Sequence, residues 1–238
     1  MKTLIVTCCA LLVAGSASAT TLLFDFGRTD TQSPFTPGVI GWNNVVPATT
    51  SLFAIFEEGG TVVPGVTFEI TDDFFQVGEP TANIGSIAPT GDAGAYPVSA
   101  TSDPFFGHNG AFAGQPANPY AEITLSGLSA ANTYSFTFFA SRQPVGDNRE
   151  TEYLVDGANS GTALLNPSNN NSEVARIMGI VPDANGDITV GFRSGPNSNS
   201  AFYYVNVMQV DISAIPEPTT SALLLSLVAA ATPLRRRV

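Results

Sequence analysis

Alternation of apolar and polar side chains is the feature that most constrains how this chain folds. In the first part of the chain it covers residues 22–26, 52–56, 66–70, 121–125 and 133–139. Successive side chains of a β-strand point to opposite faces of a sheet, so this alternation predicts half-buried strands. Further strands are predicted at residues 151–155, 162–165, 173–180, 187–192 and 202–212.

Turn signals between these segments favour a single all-β domain, an antiparallel β-sandwich spanning residues 20–215. Asp156-Gly157 and residues 183–187 (DANGD) supply the Gly and Asn that tight turns need. Residues 174–192 are therefore predicted to form a hairpin. The stretch from Gly78 to Pro119 has no sustained period and is too long for an ordinary connection. We expect it to cross one end of the sandwich and to hold a short strand or a turn of helix.

The first 19 residues have the pattern of a secretory signal peptide. A single Lys2 precedes an apolar run, and Ala17-Ser18-Ala19 forms a small-residue cleavage site. Cleavage there would make Thr20 the first residue. A lipoprotein site at Cys8 or Cys9 is the disfavoured alternative, because no small residue stands just before them. Both cysteines lie in this segment, so no disulfide or thiolate chemistry is expected in the body.

Residues 216–238 combine three features at the end of the chain. Pro216-Glu217-Pro218 comes first, an uncharged Leu- and Ala-rich segment follows, and Arg235-Arg236-Arg237 closes it. The apolar segment predicts a short helix that is slightly shorter than the roughly 18 to 20 residues that comfortably span a bilayer. Arginines beside a membrane segment stay on the cytoplasmic side, which would place the body outside.

This order of features resembles the PEP-CTERM sorting signal of Gram-negative bacteria that make exopolysaccharide. The resemblance implies an exosortase as a partner, in addition to the secretion translocon. It also implies that the C-terminal helix inserts in the membrane only transiently. The expected location is the cell surface or the extracellular matrix.

The charge of the body excludes some partners. Residues 20–215 hold five arginines and nineteen acids, a formal charge of about −14. Binding of nucleic acid needs a basic patch, so no nucleic-acid partner is expected. The acidity favours solubility outside the cell.

Several short patterns in the body resemble jelly-roll modules of the galactose-binding-like and malectin-like type. They are Asp25-Phe26-Gly27, residues 42–45 (WNNV), residues 138–142 (FFASR), residues 147–153 (DNRETEY), residues 182–186 (PDANG) and residues 202–206 (FYYVN). The resemblance implies a jelly-roll sandwich. It also implies a non-catalytic role with carbohydrate, such as exopolysaccharide or another glycan, as a ligand.

Trp42, Asn43 and Asn44 form the first candidate binding group. An exposed indole stacks on the apolar face of a sugar, and neighbouring amides bind its hydroxyls. A buried anchor near the first strand is the equally favoured alternative for Trp42.

Arg142, Asn148 and Arg149 form the second candidate group, where a strongly apolar strand gives way to a loop. Guanidinium groups bind carboxylates in a bidentate manner, so these residues either hold a ligand or fix the loop to the sheet. The structural role is favoured. A third, looser group contains Phe105, Phe106, His108, Asn109 and Tyr96.

No cofactor is predicted, and the metal question stays open. Residues 183–187 resemble part of a calcium loop but lack its closing glutamate, which favours a plain turn. Asp72-Asp73 and Asp25 with Asp30 are other sources of oxygen ligands for a structural calcium ion.

An enzyme is the least favoured class. No G-x-S-x-G motif accompanies His108, the only histidine. A glycan hydrolase needs only two carboxylates, so that alternative remains beside a purely structural or filament-forming matrix protein.

Overall fold

The computed structural model describes residues 20–75 and 84–215. The predicted signal peptide (1–19) and the predicted sorting signal (216–238) lie outside the described residues. Among the residues that are described, no helix has the length and apolar character needed to cross a membrane.

Strands account for most of the regular structure. They are β1 (Thr20–Phe26), β2 (Phe35–Thr36), β3 (Ile40–Val45), β4 (Ser51–Leu52), β5 (Ile55–Phe56), β6 (Val62–Val63), β7 (Thr67–Asp72), β8 (Phe105–His108), β9 (Ala121–Ser126), β10 (Asn132–Phe139), β11 (Thr151–Asp156), β12 (Ser160–Leu165), β13 (Ala175–Ile180), β14 (Ile188–Ser194), β15 (Phe202–Val205) and β16 (Val207–Ala214). A 3-10 helix (Gly91–Ala95) and a short helix α1 (Val98–Thr101) precede β8.

Two six-stranded sheets form the body. The first sheet has the order β13-β10-β16-β1-β3-β2, and the second has the order β12-β11-β14-β9-β7-β4. Strands β8 and β15 form a separate ribbon, as do β5 and β6. The predicted all-β sandwich is confirmed. One pair departs from the antiparallel pattern, because β1 and β3 run parallel with Leu23 opposite Trp42.

Aromatic side chains join the two sheets. The rings of Phe24 and Phe68 stack with their centroids 5.4 Å apart. Those of Phe138 and Tyr153 are 4.4 Å apart and nearly parallel. All four side chains are fully buried. Such pairs add about 0.5–1.5 kcal/mol each beyond the burial of their area, so the sandwich interior is a packed aromatic core.

Three strand predictions were wrong in detail. Residues 174–192 do not form a hairpin: β13 pairs with β10 in the first sheet, whereas β14 pairs with β11 and β9 in the second. The turn at residues 183–187 therefore crosses between the sheets. Residues 52–56 are divided between β4 and β5, and residues 202–212 between β15 and β16.

Asn206 explains the break between β15 and β16. Its side chain is completely buried, and its Oδ1 accepts a hydrogen bond from the Ser141 N–H at 2.8 Å. Its backbone N–H donates to the Phe139 carbonyl, and its carbonyl accepts from the Phe26 N–H. A polar residue with this many internal partners holds three strand ends together instead of continuing one strand.

The excursion before β9 covers the outer face of the first sheet. Ala93, Tyr96 and Ala100 pack there against Leu23, Trp42, Phe139 and Val207, forming a second apolar cluster apart from the main core. We expected this segment to cross one end of the sandwich. Instead, its described part buries part of the outer face of the first sheet, so the sheet is covered on both sides there.

Candidate functional site

Five side chains form a row across the outer face of the first sheet. The strand registers pair Trp42 with Leu23, Leu23 with Gln209, Gln209 with Thr137, and Thr137 with Arg176. Directly cross-strand partners share a face, so this row is a continuous strip. The excursion covers it only in part.

Tyr96 closes the strip from above. Its ring meets that of Trp42 edge-on, with centroids 6.3 Å apart and an angle of 84°. Its hydroxyl donates to Gln209 Oε1 at 3.0 Å. The preceding 3-10 helix is fixed in turn, because the Ala93 N–H donates to the Ser172 carbonyl at 3.2 Å. Tyr96 is therefore a positioned wall and not a free side chain.

A surface groove of about 610 Å³ lies where this cover ends. We call it the outer-face groove. Leu23, Trp42 and Gln209 contribute to its floor. Its remaining lining residues are Thr21, Pro34, Ile40, Glu58, Gly94, Ala95, Tyr96 and Pro97. The volume falls within the usual range for small-molecule sites, about 300–1,000 Å³.

A second depression, the edge pocket, lies on the other side of Trp42 and has a volume of about 240 Å³. Its lining residues are Gln32, Phe35, Trp42, Asn43, Asn44, Leu52, Ala54 and Phe56. The rings of Phe35 and Phe56 meet edge-on at 4.5 Å. Phe53, between two of the lining residues, is 83% exposed.

Trp42 connects the two depressions. It is 5% exposed, so the prediction of an exposed stacking platform is wrong and the alternative of a buried anchor is confirmed. Its indole N–H, however, makes no hydrogen bond to another described residue, and it is not one of the fully buried atoms that lack a partner. A buried tryptophan usually finds a partner for this donor. The donor is thus left for a ligand or for water in one of the depressions.

Asn43 and Asn44 are bound mainly to backbone. Asn43 Nδ2 donates to the Leu23 and Phe56 carbonyls at 3.0 and 2.9 Å, and its Oδ1 accepts from the Phe56 N–H. Asn44 exchanges two hydrogen bonds with the backbone of Ser33. Both residues line the edge pocket, but Asn43 has no free donor. Their predicted role in binding sugar hydroxyls stays a prediction, and of the two Asn44 has more capacity left.

Arg149 lies in the loop before β11, and we call this loop, with its contacts Tyr204 and Phe202, the loop end of the sandwich. Its Nε donates to Asp147 Oδ1 at 2.8 Å, and another nitrogen bonds the Tyr204 hydroxyl. Its guanidinium carbon is 4.7 Å from the centre of the Phe202 ring. The hydrogen bond from Arg149 lowers the pKa of Asp147 below its usual value. These contacts are those expected of a residue that fixes a loop.

Arg142 and Asn148 serve the same loop network. Arg142 donates from its backbone N–H to the Pro167 carbonyl at 2.8 Å and from a side-chain nitrogen to the Gln143 carbonyl. Its Nε is buried without a partner. Asn148 Nδ2 donates to the Asn197 carbonyl, and its Oδ1 accepts from the Glu150 N–H. The structure therefore does not bring these residues together with Trp42, and ligand binding by them stays untested.

The looser aromatic group is divided by the fold. Phe105 points into the main core and Tyr96 belongs to the groove. Phe106 and His108 instead lie on the β8–β15 ribbon with Phe202, whose ring is 4.4 Å from that of His108. His108 Nδ1 accepts from the Gly110 N–H at 3.0 Å, so this histidine orders a turn.

Two buried carboxyl groups face each other beside Gly27. A side chain at Gly27 would approach Asp103 Oδ2 to 2.9 Å and Asp25 Oδ1 to 3.0 Å, so only glycine fits there. Asp25 Oδ1 has no hydrogen-bond partner in the described structure, whereas Oδ2 accepts from the Ser33 N–H. Burial raises the pKa of Asp25 to about 7, a net shift that hydrogen bonds from Ser33 reduce and the charge of Asp103 increases.

The calcium candidates receive little support from their surroundings. Within residues 20–75 and 84–215, no group of three or more His, Cys, Asp or Glu side chains is arranged to hold a metal ion. Asp183 Oδ1 accepts the Asn185 and Asp187 N–H groups, which makes it a turn residue. Asp30 pairs with Arg28 on the surface.

Sequence reasoning missed Glu58, Gln209 and the role of Tyr96 at the groove. Gln209 had a detectable signal, because a polar residue between Met208 and Val210 marks the outward face of β16. Glu58 and Tyr96 come from loops whose path over the sheet is set by tertiary packing, so no local pattern indicates them.

Comparisons with known proteins identify no family. No family model matches the chain, and no curated protein matches it. Among solved structures, the chain resembles TmCBM61 in complex with β-1,4-galactotriose, at 13% identity and a TM-score of 0.28, over 44% of this chain and 67% of that one. It also resembles a CBM35 module from Cellvibrio japonicus Abf62, at 14% identity and a TM-score of 0.29, over 63% and 98%. The class assigned to this chain, a two-sheet β-sandwich with a groove on one outer face, rests on the sheets and registers described above.

Proposed function

We propose that this protein is a non-catalytic carbohydrate-binding protein whose binding site is the outer-face groove, with Trp42 as the central residue. The observation that carries the proposal is the indole N–H of Trp42, which has no partner among the described residues and belongs to a side chain that lines a groove of ligand size. A donor with no partner in the protein gains a hydrogen bond on binding without breaking one.

The remaining lining suits a sugar. Tyr96, Pro97 and Pro34 offer apolar surface for the C–H faces of a pyranose, and Thr21 and Gln209 offer polar groups from the floor. Sugar sites combine these two kinds of surface because each ring has apolar faces and a polar rim. The edge pocket, with Phe35 and the exposed Phe53, extends the same surface and suits a second ring of an oligosaccharide.

The proposal includes export and processing. A signal peptide at residues 1–19 and a PEP-CTERM signal at residues 216–238 would deliver the body to the cell surface or matrix through the translocon and an exosortase. Mass spectrometry of the protein from its own producer tests this directly. We expect a mature chain beginning at Thr20 and cut near Pro216-Glu217-Pro218; a chain retaining both segments would contradict it.

Glycan binding is tested with protein expressed from the full-length gene, on a glycan array and by calorimetry with the producer's exopolysaccharide. Saturable binding should fall at least tenfold in Trp42→Phe, which keeps a ring but removes the N–H. Phe112→Ala, a change to an exposed ring at the loop end, is the control and should bind as the parent does. A folded protein that binds no glycan would refute the proposal.

A structural matrix protein is the second candidate, favoured by exposed apolar side chains such as Phe53, Val39 and Met178. Self-assembly without glycan, followed by light scattering, would support it. Release of reducing sugar from the bound glycan would instead indicate a hydrolase.

A further inference from the structure

The outer-face groove is acidic, and its acids have no cationic partners. Glu58 lines it, and Asp211 lies one residue pair further along the sheet, opposite Thr21. Asp211 accepts hydrogen bonds from the Thr21 hydroxyl at 2.7 Å and from Gln209 Nε2 at 2.9 Å. Neither acid is in a salt bridge with another described residue. Of these two carboxylates, Glu58 belongs to the groove lining, and Asp211 lies beside the groove and is bound by neutral donors.

The arginines of the body are committed elsewhere. Arg28, Arg149 and Arg193 each pair with an acid away from the groove, and Arg142 belongs to the loop end. Arg176 is at the far end of the Trp42 row, where it binds Asp92 Oδ2 at 2.9 Å. No described cation is thus free to bind a carboxylate or sulfate group of a ligand in the groove.

The hydrogen-bonding groups at the groove also favour a ligand that donates hydrogen bonds. Glu58 and Asp211 only accept when ionised, whereas Trp42 supplies one donor and Gln209 already uses its Nε2 on Asp211. A ligand rich in donors satisfies such a surface better than one rich in acceptors. A protonated amine carries three donors and a positive charge, and therefore suits both the hydrogen-bonding groups and the charge.

We infer that the groove recognises glycans that carry free, protonated amino groups, such as de-N-acetylated hexosamine chains, in preference to acetylated or uronate-containing ones. This inference rests on the proposed function. Attraction comes from Glu58 locally and from the net negative body at longer range, which also speeds encounter with a polycationic chain. Uronates are disfavoured by the same charges.

Calorimetry on the full-length gene product tests the inference with four hexasaccharides: glucosamine, N-acetylglucosamine, glucose and galacturonate oligomers. The buffer is mildly acidic, so that the amines of the glucosamine oligomer are protonated. We expect the glucosamine oligomer to bind about fivefold more tightly than its acetylated form, the scale of one or two exposed ion pairs. The galacturonate oligomer should bind most weakly.

Glu58→Gln should reduce that preference to within about twofold. Glu69→Gln is the matched control, because it removes the same charge from an exposed residue of β7 in the second sheet and should leave the preference unchanged. An oligolysine of equal charge has no sugar rings for the groove to hold, so net charge alone should govern its binding. It should therefore bind Glu58→Gln and Glu69→Gln equally.

The outcomes separate the two proposals. Equal or tighter binding of the acetylated or glucose oligomer, still lost in Trp42→Phe, would overturn the amine preference and leave carbohydrate binding intact. Equal effects of the two glutamate changes would likewise overturn it, because the preference would then reflect net charge alone. Absence of binding to all four oligomers would refute both.

Discussion

The groove and the loop end contain similar residues and use them in opposite ways. At the loop end, the guanidinium group of Arg149 contacts Asp147, Tyr204 and Phe202, so its charge interacts with groups of the protein itself. At the groove, the indole N–H of Trp42 and the carboxylate of Glu58 have no such partners within residues 20–75 and 84–215. The composition of a region is therefore a poor guide to binding. The groups left unsatisfied after folding are a better one.

Trp42→Ala should have the largest effect on both stability and glycan binding. Removing a large buried ring from the second apolar cluster should cost about 3–5 kcal/mol of stability and abolish glycan binding. Chemical denaturation and calorimetry measure the two effects. Trp42→Phe separates them, because it should keep most of the stability and lose most of the binding; loss of neither would show that the groove is not the site.

Asp25→Asn should remove a pH dependence of the stability of the folded protein. Folded Asp25 holds its proton up to about pH 7, whereas an unfolded aspartate releases it near 3.8. The folded state thus binds more protons between these values, and stability falls as the pH rises through this window. The stabilisation that the protonated Asp25 carboxyl contributes is fully present below pH 3.8.

At low pH the asparagine variant should have the same free energy of unfolding as the parent. Above the window its free energy of unfolding should be higher by roughly a few kcal/mol. Denaturation curves on both sides of the window measure this. A parent protein whose stability is flat across the window would contradict the buried, protonated state of Asp25.

Arg149→Ala should destabilise the loop end by about 1–3 kcal/mol, because it leaves the Tyr204 hydroxyl and Asp147 without their partner. Glycan binding should not change. Arg193→Ala is the control, since about half of the Arg193 side chain is exposed and its ion pair with Glu152 should contribute less than about 1 kcal/mol. Weakened glycan binding in Arg149→Ala, with a folded protein, would move the site to the loop end.

Tyr96→Phe should have the smallest effect. It removes the hydrogen bond to Gln209 but keeps the ring over Trp42, and should cost about 0.5–1.5 kcal/mol. Binding should shift by only a few fold, because Gln209 Oε1 then becomes available to a ligand. Calorimetry that shows binding to be abolished would mean that Tyr96 itself holds the sugar.

The alternating pattern was sufficient to predict most of the strands and the sandwich. It could not predict β3, since Gly41, Trp42 and Asn43 are all buried and show no alternation. It also failed at residues 174–192, where a good turn sequence joins strands of different sheets. Local turn chemistry does not encode which sheet the next strand enters.

The candidate site was predicted only at Trp42, Asn43 and Asn44. The tryptophan stood out because it is the only one in the chain. The groove itself depends on a segment some fifty residues later lying on the outer sheet face and stopping at Tyr96. Its long-range path is fixed by contacts such as Ala93 to Ser172, which leave no periodic trace in the sequence.

The place of β16 in the first sheet has a mechanical consequence. This strand lies between β10 and β1, bonded to both along most of its length, and leads directly to residue 215. A tether attached beyond that point would load a central strand along its own axis, so that two full ladders of hydrogen bonds share the force. The pull from a ligand on Trp42 would travel through β3 and β1 into the same strand. Tension between such a tether and a ligand in the groove would therefore be carried by β16 and the two strands bonded to it.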